Sequence, residues 1–229
     1  LNLKIAIIHS EIDKEYVINK LMESKVEPCE KAPELTVEDI EDSERIVGQM
    51  GVDPIIKALD EDVDIVLAGR SLDSSVFAAK PIREGYDEGL AYHLGKLLEC
   101  GSISATPGGL TPSLGRLRKD HFTIKSLDPE KTCTPISVAA HNLYEESNPH
   151  FFYTPEGKVD ISNSNYQRLD EKTVKVTKTR WVPSPDYTIK LEGAKRVGSR
   201  YFAVIGIRDP DMIRNLDLIE NDIRKLVMD

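Results

Sequence analysis

The segment LAGRSLDSSVFAAK, residues 67–80, has the residue types and spacing of an anion-binding turn. An apolar run ends at Gly69, and Arg70, Ser71 and Asp73 follow before the next apolar-periodic segment begins. Free N–H groups at a turn between a buried strand and a helix bind phosphate or carboxylate groups, and Arg70 can hold such a group through two hydrogen bonds. In the alternative interpretation Ser71 or Asp73 only caps the helix and Arg70 is a surface residue, or Asp73 holds Arg70.

A second candidate, Glu99, lies at the end of a predicted helix within YHLGKLLECGSISATPGG, residues 92–109. Its carboxyl group can act as a general acid or base, although an exposed glutamate is the ordinary alternative. The neighbouring Cys100 is predicted to be a packed residue rather than a nucleophile, because the C-terminal end of a helix raises the pKa of a thiol. Gly108 and Gly109 either let the backbone approach a substrate closely or form a plain flexible turn.

The helix predicted within CTPISVAAHNLYEE, residues 133–146, carries Ser137, His141 and Glu145 at i, i+4 and i+8. This spacing brings His141 within reach of both neighbours. Three groups along one helix do not aim a serine at a substrate as a Ser–His–acid triad requires. We interpret His141 beside Glu145 either as an acid or base that pH can tune, or as a structural hydrogen bond. No H-E-x-x-H or similar spacing is present, so we predict no metal site.

Two basic residues in the C-terminal part complete the set of candidates. Lys190 shares one face of a predicted strand with Glu192, and this charged face is either the wall of a site or an outer, solvated surface. Arg200 follows a glycine turn and, with Lys190, can orient a substrate carboxylate.

The composition excludes several classes of protein. The 39 acidic and 30 basic residues give a net charge of −9, which argues against nucleic acid as the main partner. No apolar run approaches the ~18 residues of a membrane span, and no signal peptide opens the sequence. The three cysteines form no C-x-x-C motif, which fits a reducing cytoplasm. Neither G-x-G-x-x-G nor the P-loop motif is present, and we predict no cofactor.

Basic residues cluster locally despite the net negative charge. One cluster precedes a predicted strand, and the other alternates along a strand and is interpreted as a solvated face. The clusters are Arg116, Arg118 and Lys119, and Lys172, Lys175, Lys178 and Arg180.

The first half of the sequence alternates strand and helix signals. The apolar runs at residues 3–9 and 63–69 predict strands buried on both faces, as in a parallel sheet. Helices are predicted over residues 15–24, from Asp53-Pro54, and over 72–84 and 88–100, with an exposed connection over 25–45. This alternation predicts an α/β part with a mainly parallel sheet and flanking helices at residues 1–105.

The second half changes character after the Gly/Pro-rich loop at residues 106–115. Period-two alternation predicts antiparallel strands in HFTIKSL, KTVKVTKTRWV, YTIKLEGA and RYFAVIGIRD. The chain closes on a helix that begins at Asp209-Pro210 and carries one apolar stripe. Residues 106–229 are therefore predicted to form an α+β part, separate from the first part or continuous with it in one domain.

Six sequence blocks between about Gly48 and Leu218 occur in the order seen in one protein family. They are VDIVLAGRSLDSSVFAA, GLAYHLGKLLECG, DHFTIKSLDP, CTPISVAAHNLYEESNP, YTIKLEGA and IGIRDP. In these blocks the chain resembles the acyclic terpene utilisation AtuA-like family, a domain of unknown function. Members of that family usually carry another α/β segment at the N-terminus. Together with a start at Leu1 instead of methionine, this resemblance suggests the C-terminal part of such a protein or a short version of it.

The resemblance implies a role in the breakdown of branched acyclic acids, as free acids or CoA thioesters. Together with the candidate residues, it predicts a hydratase, lyase or isomerase-type step on an anionic substrate. His141 and Glu99 are the expected catalytic residues. The expected substrate-binding residues are Gly69, Arg70, Ser71, Asp73, Gly108, Gly109, Lys190 and Arg200. The alternative is a non-catalytic subunit or binding module, and either protein is expected to form a homo-oligomer or to bind a partner subunit.

Overall fold

The computed structural model describes residues 2–29 and 32–228 of the chain. These residues form two compact units, one that ends at Lys195 and one that begins at Arg196. The boundary predicted at residues 105/106 falls inside the first unit. No helix among the described residues is long and apolar enough to cross a membrane.

The first unit contains six α-helices and a 3₁₀ helix at Gly101–Ser104 among its described residues. The α-helices are α1 (Lys14–Met22), α2 (Val37–Asp42), α3 (Asp53–Asp60), α4 (Asp73–Arg83), α5 (Glu88–Glu99) and α6 (Pro135–His141). Its strands are β1 (Ile5–Ile8), β2 (Ser43–Gln49), β3 (Ile65–Ala68), β4 (Ala105–Thr106), β5 (Ser113–Leu117), β6 (His121–Ser126), β7 (Thr132–Cys133), β8 (Phe151–Thr154), β9 (Gly157–Asp160), β10 (Asn165–Arg168), β11 (Thr173–Thr177), β12 (Arg180–Pro183) and β13 (Lys190–Lys195).

The strands do not form a mainly parallel sheet, and that prediction is wrong. Among the strands of the described residues, parallel pairing is limited to β1 with β3, while the four-stranded sheet β10-β11-β6-β5 and the three-stranded sheet β12-β9-β8 are antiparallel. The smaller pairs β13-β2 and β4-β7 are antiparallel too. Alternation of strand and helix suggested parallel neighbours, but β2 pairs with a strand far along the chain, and no local pattern reports such a pairing.

The parallel pair also departs from the prediction of strands buried on both faces. Ile7 and Leu67 are register partners in β1 and β3, and they are 62% and 59% exposed. Ile5 and Ile65, on the same face, are exposed as well. The pair therefore presents an apolar face that no described element covers.

Helix α5 is the centre of the first unit, because its residues are buried all around. A helix that is buried on every side belongs to a core rather than to the surface. Its leucines pack on β6 and β11, while Ala91 and Tyr92 pack toward β8 and β9. The leucine side of this core comprises Leu90, Leu94, Leu97, Phe122, Ile124, Val174 and Val176.

Helix α4 lies against α5 at very short range. A Cβ added to Gly95 of α5 would stand 2.5 Å from the carbonyl oxygen of Ser74 in α4. No side chain fits between the two backbones at this point, so glycine is required for the close approach of the helices.

Several elements of the second half differ from the sequence-based prediction. The helix of the SVAAHNLYE block ends at His141, and Glu145 has a positive φ of 62° outside it. The long strand predicted at residues 172–182 is split into β11 and β12, with Lys178 at φ 65° between them. The β8–β9 hairpin was not predicted, although Pro155 and Gly157 within FFYTPEGKVD are turn-forming residues.

The second unit contains α7 (Pro210–Arg214) and α8 (Leu216–Met228) in its described residues. The predicted helix start is confirmed, since the Asp209 side chain accepts hydrogen bonds from the N–H groups of Asp211 and Met212 at 2.9 Å. The strand predicted in RYFAVIGIRD is absent, and Tyr201 is 94% exposed. An extended segment needs a neighbouring strand for its backbone hydrogen bonds, and no described strand of this unit supplies one.

Candidate functional site

The GRSLD turn joins β3 to α4 and is held by residues that follow β1. The Gly69 N–H donates to the Ile8 carbonyl and the Arg70 N–H donates to Ser10 Oγ, both at 2.8 Å. A Cβ on Gly69 would lie 2.4 Å from Ser10 Oγ, so only glycine lets the turn come this close. The turn is thus fixed at the end of the parallel strand pair, where the sequence analysis placed it.

Arg70 is held by two carboxylates rather than left free for a ligand. Its Nε donates to Glu192 Oε2 at 2.9 Å and its Nη2 donates to Oε1 at 3.3 Å. Its Nη1 donates to Asp73 Oδ1 at 3.0 Å. The hydrogen bonds from Arg70 lower the pKa of Glu192 below its ordinary value. Asp73 therefore binds Arg70, as one of the alternatives predicted. Glu192 binds it as well.

The start of α4 lacks the side-chain cap that the alternative interpretation assigned to Ser71 or Asp73. The residue at the cap position is Leu72, which makes no capping hydrogen bond, and Asp73 is the first helical residue. The Ser71 hydroxyl donates instead to the Gly69 carbonyl at 3.2 Å. The positive end of this helix therefore has no capping side chain, and the Asp73 carboxylate lies in its first turn.

Lys190 takes part in the same charged group. Its Nζ lies 3.8 Å from Glu192 Oε1, and its side chain remains mostly exposed. Glu192 lies closer to Arg70 than to Lys190, so the ion pair with Lys190 is the weaker of the two. Strand β13 therefore presents a charged surface beside the GRSLD turn.

A second group of charges, the Lys96 cluster, consists of Lys96, Glu99 and Glu146. Lys96 Nζ lies 2.9 Å from Glu99 Oε1 and 3.4 Å from Glu146 Oε1. The side chains of Lys96 and Glu99 are only 7% and 9% exposed, so Glu99 is not the ordinary exposed glutamate. Both ionised groups stand in a partly dry environment, where charges interact strongly.

The pKa values in the Lys96 cluster are set by burial and by an excess of negative charge. Burial raises the pKa of Glu99, and the negative charges of Asp73 and Glu145 raise it further, while Lys96 opposes the change. Burial likewise raises the pKa of Glu146. Burial alone would lower the pKa of Lys96, but its hydrogen bond with Glu99 and the attraction of both glutamates outweigh that effect and raise it. The Lys96 ammonium is thus shared by the two carboxyl groups of Glu99 and Glu146.

Asp73 links the two groups of charges. It accepts a hydrogen bond from Arg70, and its charge also raises the pKa of Glu99 and of Cys100. The GRSLD turn, the LLECG helix end and the KLEGA strand therefore lie around one region of the first unit. The pKa of Cys100 is raised mainly by burial, so its thiol stays protonated, as a packed residue is expected to do.

His141 does not form the predicted pair with Glu145, because α6 ends at His141 and the chain turns away. Its Nδ1 lies 2.5 Å from Ser104 Oγ, and Ser137 Oγ donates to the Ser104 carbonyl at 2.8 Å. Burial, reinforced by the charge of Lys96, lowers the pKa of His141 to about 4. His141 is therefore a neutral imidazole beside the Lys96 cluster, and its buried Nε2 has no hydrogen-bond partner among the described residues.

Among the described residues, no contact brings Gly108, Gly109 or Arg200 to this site. Gly108 and Gly109 lie in an exposed loop, with open space around Gly108. Arg200 is exposed in the second unit. Among residues 2–29 and 32–228, no group of three or more His, Cys, Asp or Glu side chains is placed to hold a metal ion.

Sequence reasoning missed Glu146 and Glu156. Glu146 lies in an acidic run that resembles ordinary surface sequence. Glu156, in the turn between β8 and β9, accepts from the Val52 N–H at 2.8 Å and from the Tyr92 hydroxyl at 2.6 Å. It thereby supports the start of α3 from a distant part of the chain, and no local pattern signals such a role.

A family model described as the acyclic terpene utilisation family protein AtuA matches residues 1–113 and 120–229. The chain belongs to the AtuA family. No curated protein and no solved structure matches it. The sequence blocks that resemble this family contain Arg70, Glu99, His141 and Glu192.

Proposed function

We propose that this AtuA-family chain is an enzyme that transfers a proton on a branched acyclic acid, bound as the free acid or as its CoA thioester. The family description implies acyclic terpene utilisation, which is a coarser statement than a reaction. The observation that supports the proposal is the Lys96 cluster, in which buried Glu99 has a raised pKa beside a buried ammonium. Proton-transfer catalysts require a carboxyl group tuned in this way.

In the proposed step Glu99 takes a proton from a carbon atom next to the carboxyl or thioester group. The C–H electron pair moves toward the carbonyl oxygen, where the Lys96 ammonium stabilises the developing negative charge. If the proton returns to another carbon atom, the reaction is an isomerisation. If hydroxide leaves from the adjacent carbon atom, the reaction is that of a lyase, and its reverse is that of a hydratase. His141 is fully buried, so in this proposal its neutral imidazole acts from beside the Lys96 cluster and does not touch the substrate.

The substrate anion is proposed to bind between the uncapped start of α4 and Lys190. In this arrangement Arg70 is a positioning residue, because its hydrogen bonds with Asp73 and Glu192 fix the turn and the strand. A cytoplasmic location fits the sequence, and a homo-oligomer or a partner subunit remains part of the proposal.

The experiment is deuterium incorporation in D2O, followed by mass spectrometry, with a panel of branched short-chain acids and their CoA thioesters. The wild-type chain is expected to catalyse exchange with at least one member of the panel. Glu99→Gln keeps the shape of the side chain but cannot carry the proton, so the exchange rate is expected to fall about a hundredfold to ten-thousandfold. Glu84→Gln, at an exposed carboxylate after α4, is the matched control and is expected to leave the rate unchanged.

Two results would count against the enzyme. The first is no exchange with any member of the panel, and the second is an unchanged rate in a folded Glu99→Gln chain.

The alternative, a non-catalytic subunit or binding module, is favoured by a different observation. The β1–β3 pair exposes Ile5, Ile7, Ile65 and Leu67 on one face. Exposed apolar side chains that lie together commonly mark a surface for another protein.

A further inference from the structure

A cleft of about 300 Å³ lies on the outward face of the four-stranded sheet β10-β11-β6-β5. None of the residues that line it belongs to the GRSLD turn or to the Lys96 cluster. Its walls include Arg116, Arg118 and Lys125, with the hydroxyls of Thr123 and Thr173. The cleft thus joins cationic and hydrogen-bonding side chains in one concave space.

The alternation of β6 explains why these side chains meet. Phe122 and Ile124 are fully buried under the sheet, so Thr123 and Lys125 point to the opposite face. Register pairs Thr123 with Arg116 of β5, and Lys125 with Thr173 of β11. Cross-strand partners lie close enough for their side chains to share one ligand.

The protein balances the three cations only in part: the pKa of Asp170, which also lines the cleft, is lowered by its hydrogen bond from the Lys172 N–H and further by the charge of Lys125. Among the described residues, no carboxylate lies within 4.0 Å of the charged nitrogens of Arg116, Arg118 or Lys125. The one carboxylate in the described lining, Asp170, accepts a hydrogen bond from the Lys172 N–H at 2.8 Å. The other nearby acid, Asp120, pairs with His121 at 2.7 Å.

Arg116, Arg118 and Lys125 thus lie side by side without a carboxylate of the described residues within 4.0 Å, in a chain whose net charge is −9. Like charges repel one another, so their grouping is unfavourable until an anion neutralises them. A carboxylate carries one negative charge, whereas a phosphate monoester carries up to two and offers three acceptor oxygens. Two arginine forks and a lysine match the phosphate better in both charge and number of donors.

We propose that this cleft binds a phosphorylated small molecule. Arg116, Arg118 and Lys125 hold the phosphate, and Thr123 and Thr173 donate hydrogen bonds to it. Leu114 and Leu169, which also line the cleft, contact the organic part of the ligand. The volume is at the lower end of the range for small-molecule sites and suits a small monoester.

The cleft shares no lining residue with the site proposed around Glu99. The two proposals therefore stand or fall separately.

The test is calorimetric titration of the full chain at low ionic strength with glycerol 3-phosphate, and with glycerate as the matched carboxylate. The wild-type chain is expected to bind the phosphate ester and to bind glycerate more weakly. Arg116→Gln and Lys125→Gln each remove a charge-assisted hydrogen bond and are expected to weaken phosphate binding about tenfold or more. Lys80→Gln, at an exposed lysine of α4, has the same change of charge and is expected to bind like the wild type.

A second measurement needs no substitution. Amide NMR signals of Thr123 and Thr173 are expected to shift on addition of glycerol 3-phosphate. The proposal is overturned if the phosphate ester does not bind, if the cleft variants bind it as well as Lys80→Gln, or if only polyanions such as duplex DNA bind. Because the cleft variants keep Glu99, their deuterium exchange reports separately on the proposed reaction.

Discussion

His93 is held in one tautomer by two hydrogen bonds of opposite sense. The Asn142 amide oxygen lies 3.0 Å from Nε2 and can only accept, so Nε2 carries the proton. The Thr179 hydroxyl, 2.7 Å from Nδ1, then acts as donor. Burial in a core against Phe122 and Tyr166 lowers the pKa of His93 to about 3. Its two partners are 49 and 86 residues away in the chain, so the sequence does not reveal them.

The neutral histidines predict loss of stability in acid. The unfolded chain takes up a proton on each histidine near pH 6.5, whereas folded His93 and His141 do so only near pH 3 and pH 4. Below pH 6.5 the unfolded state therefore binds more protons, and the free energy of unfolding falls as pH falls. At pH 5 each histidine is expected to lower it by about 2 kcal/mol. The raised pKa values of Glu99 and Glu146 act with the opposite sign.

The contribution of His93 is isolated by comparing variants. Urea unfolding at pH 7.5 and at pH 5 gives the pH-dependent difference for each chain. For His93→Gln this difference is expected to be about 2 kcal/mol smaller than for the wild type. His150→Gln, at an exposed histidine, is the control. Equal differences for wild type and His93→Gln would contradict the assignment of a neutral buried imidazole.

At the scale of elements, the pair α4 and α5 positions most of the candidate site. Asp73 begins α4, and Lys96 and Glu99 lie in the last turn of α5. Their approach depends on the contact between Gly95 and the backbone of Ser74. Both helices were predicted from sequence almost to their ends, because the apolar periodicity of a helix is a local signal.

Gly95→Ala is expected to destabilise the chain because the added methyl group would meet a carbonyl oxygen that cannot move away. Overpacking of this kind costs about 1–3 kcal/mol and is measured by urea unfolding. Gly108→Ala is the matched control, since no atom lies within 4 Å of the added group. The close helix approach would be disproved if both variants unfolded at the same urea concentration.

At the scale of the whole molecule, the net charge opposes association between chains, whereas the exposed apolar surface favours it. The net charge of −9 keeps chains apart at pH 7. The face formed by β1 and β3 is apolar and uncovered in the first unit, and Phe202 and Val204 are exposed in the second unit. Such surfaces favour association with another chain, which is the basis of the subunit hypothesis.

Ile7→Asn together with Leu67→Asn tests that face of the molecule. If the face is an interface, the wild-type chain is expected to show a mass above 25.6 kDa by light scattering after gel filtration. The double variant is then expected to return to the monomer mass, because amide groups remove the apolar contact. Tyr153→Asn, at an exposed apolar residue of β8, serves as control. The same mass for the wild type and the double variant would argue against an interface at β1 and β3.

The amino-acid sequence by itself determined the features that depend on neighbouring residues. The strand end at Gly69, the helices α4 and α5, the helix start at Asp209 and the membership of the AtuA family were all predicted correctly. It also singled out Arg70 and Glu99 as candidates, because their residue types at the ends of elements are chemically useful. Their roles as binding and catalytic residues stay predictions.

Only the tertiary structure decided which groups those residues contact. Glu192, which holds Arg70, is 122 residues away, and Glu146, which shares Lys96 with Glu99, follows an irregular turn rather than a helix. The antiparallel pairing of β2 with β13 likewise depends on a distant strand. Hydrogen-bond geometry, burial and the pKa values that follow from them arise from contacts between remote segments. Local propensity and spacing do not encode those contacts, so they could not be predicted from the sequence.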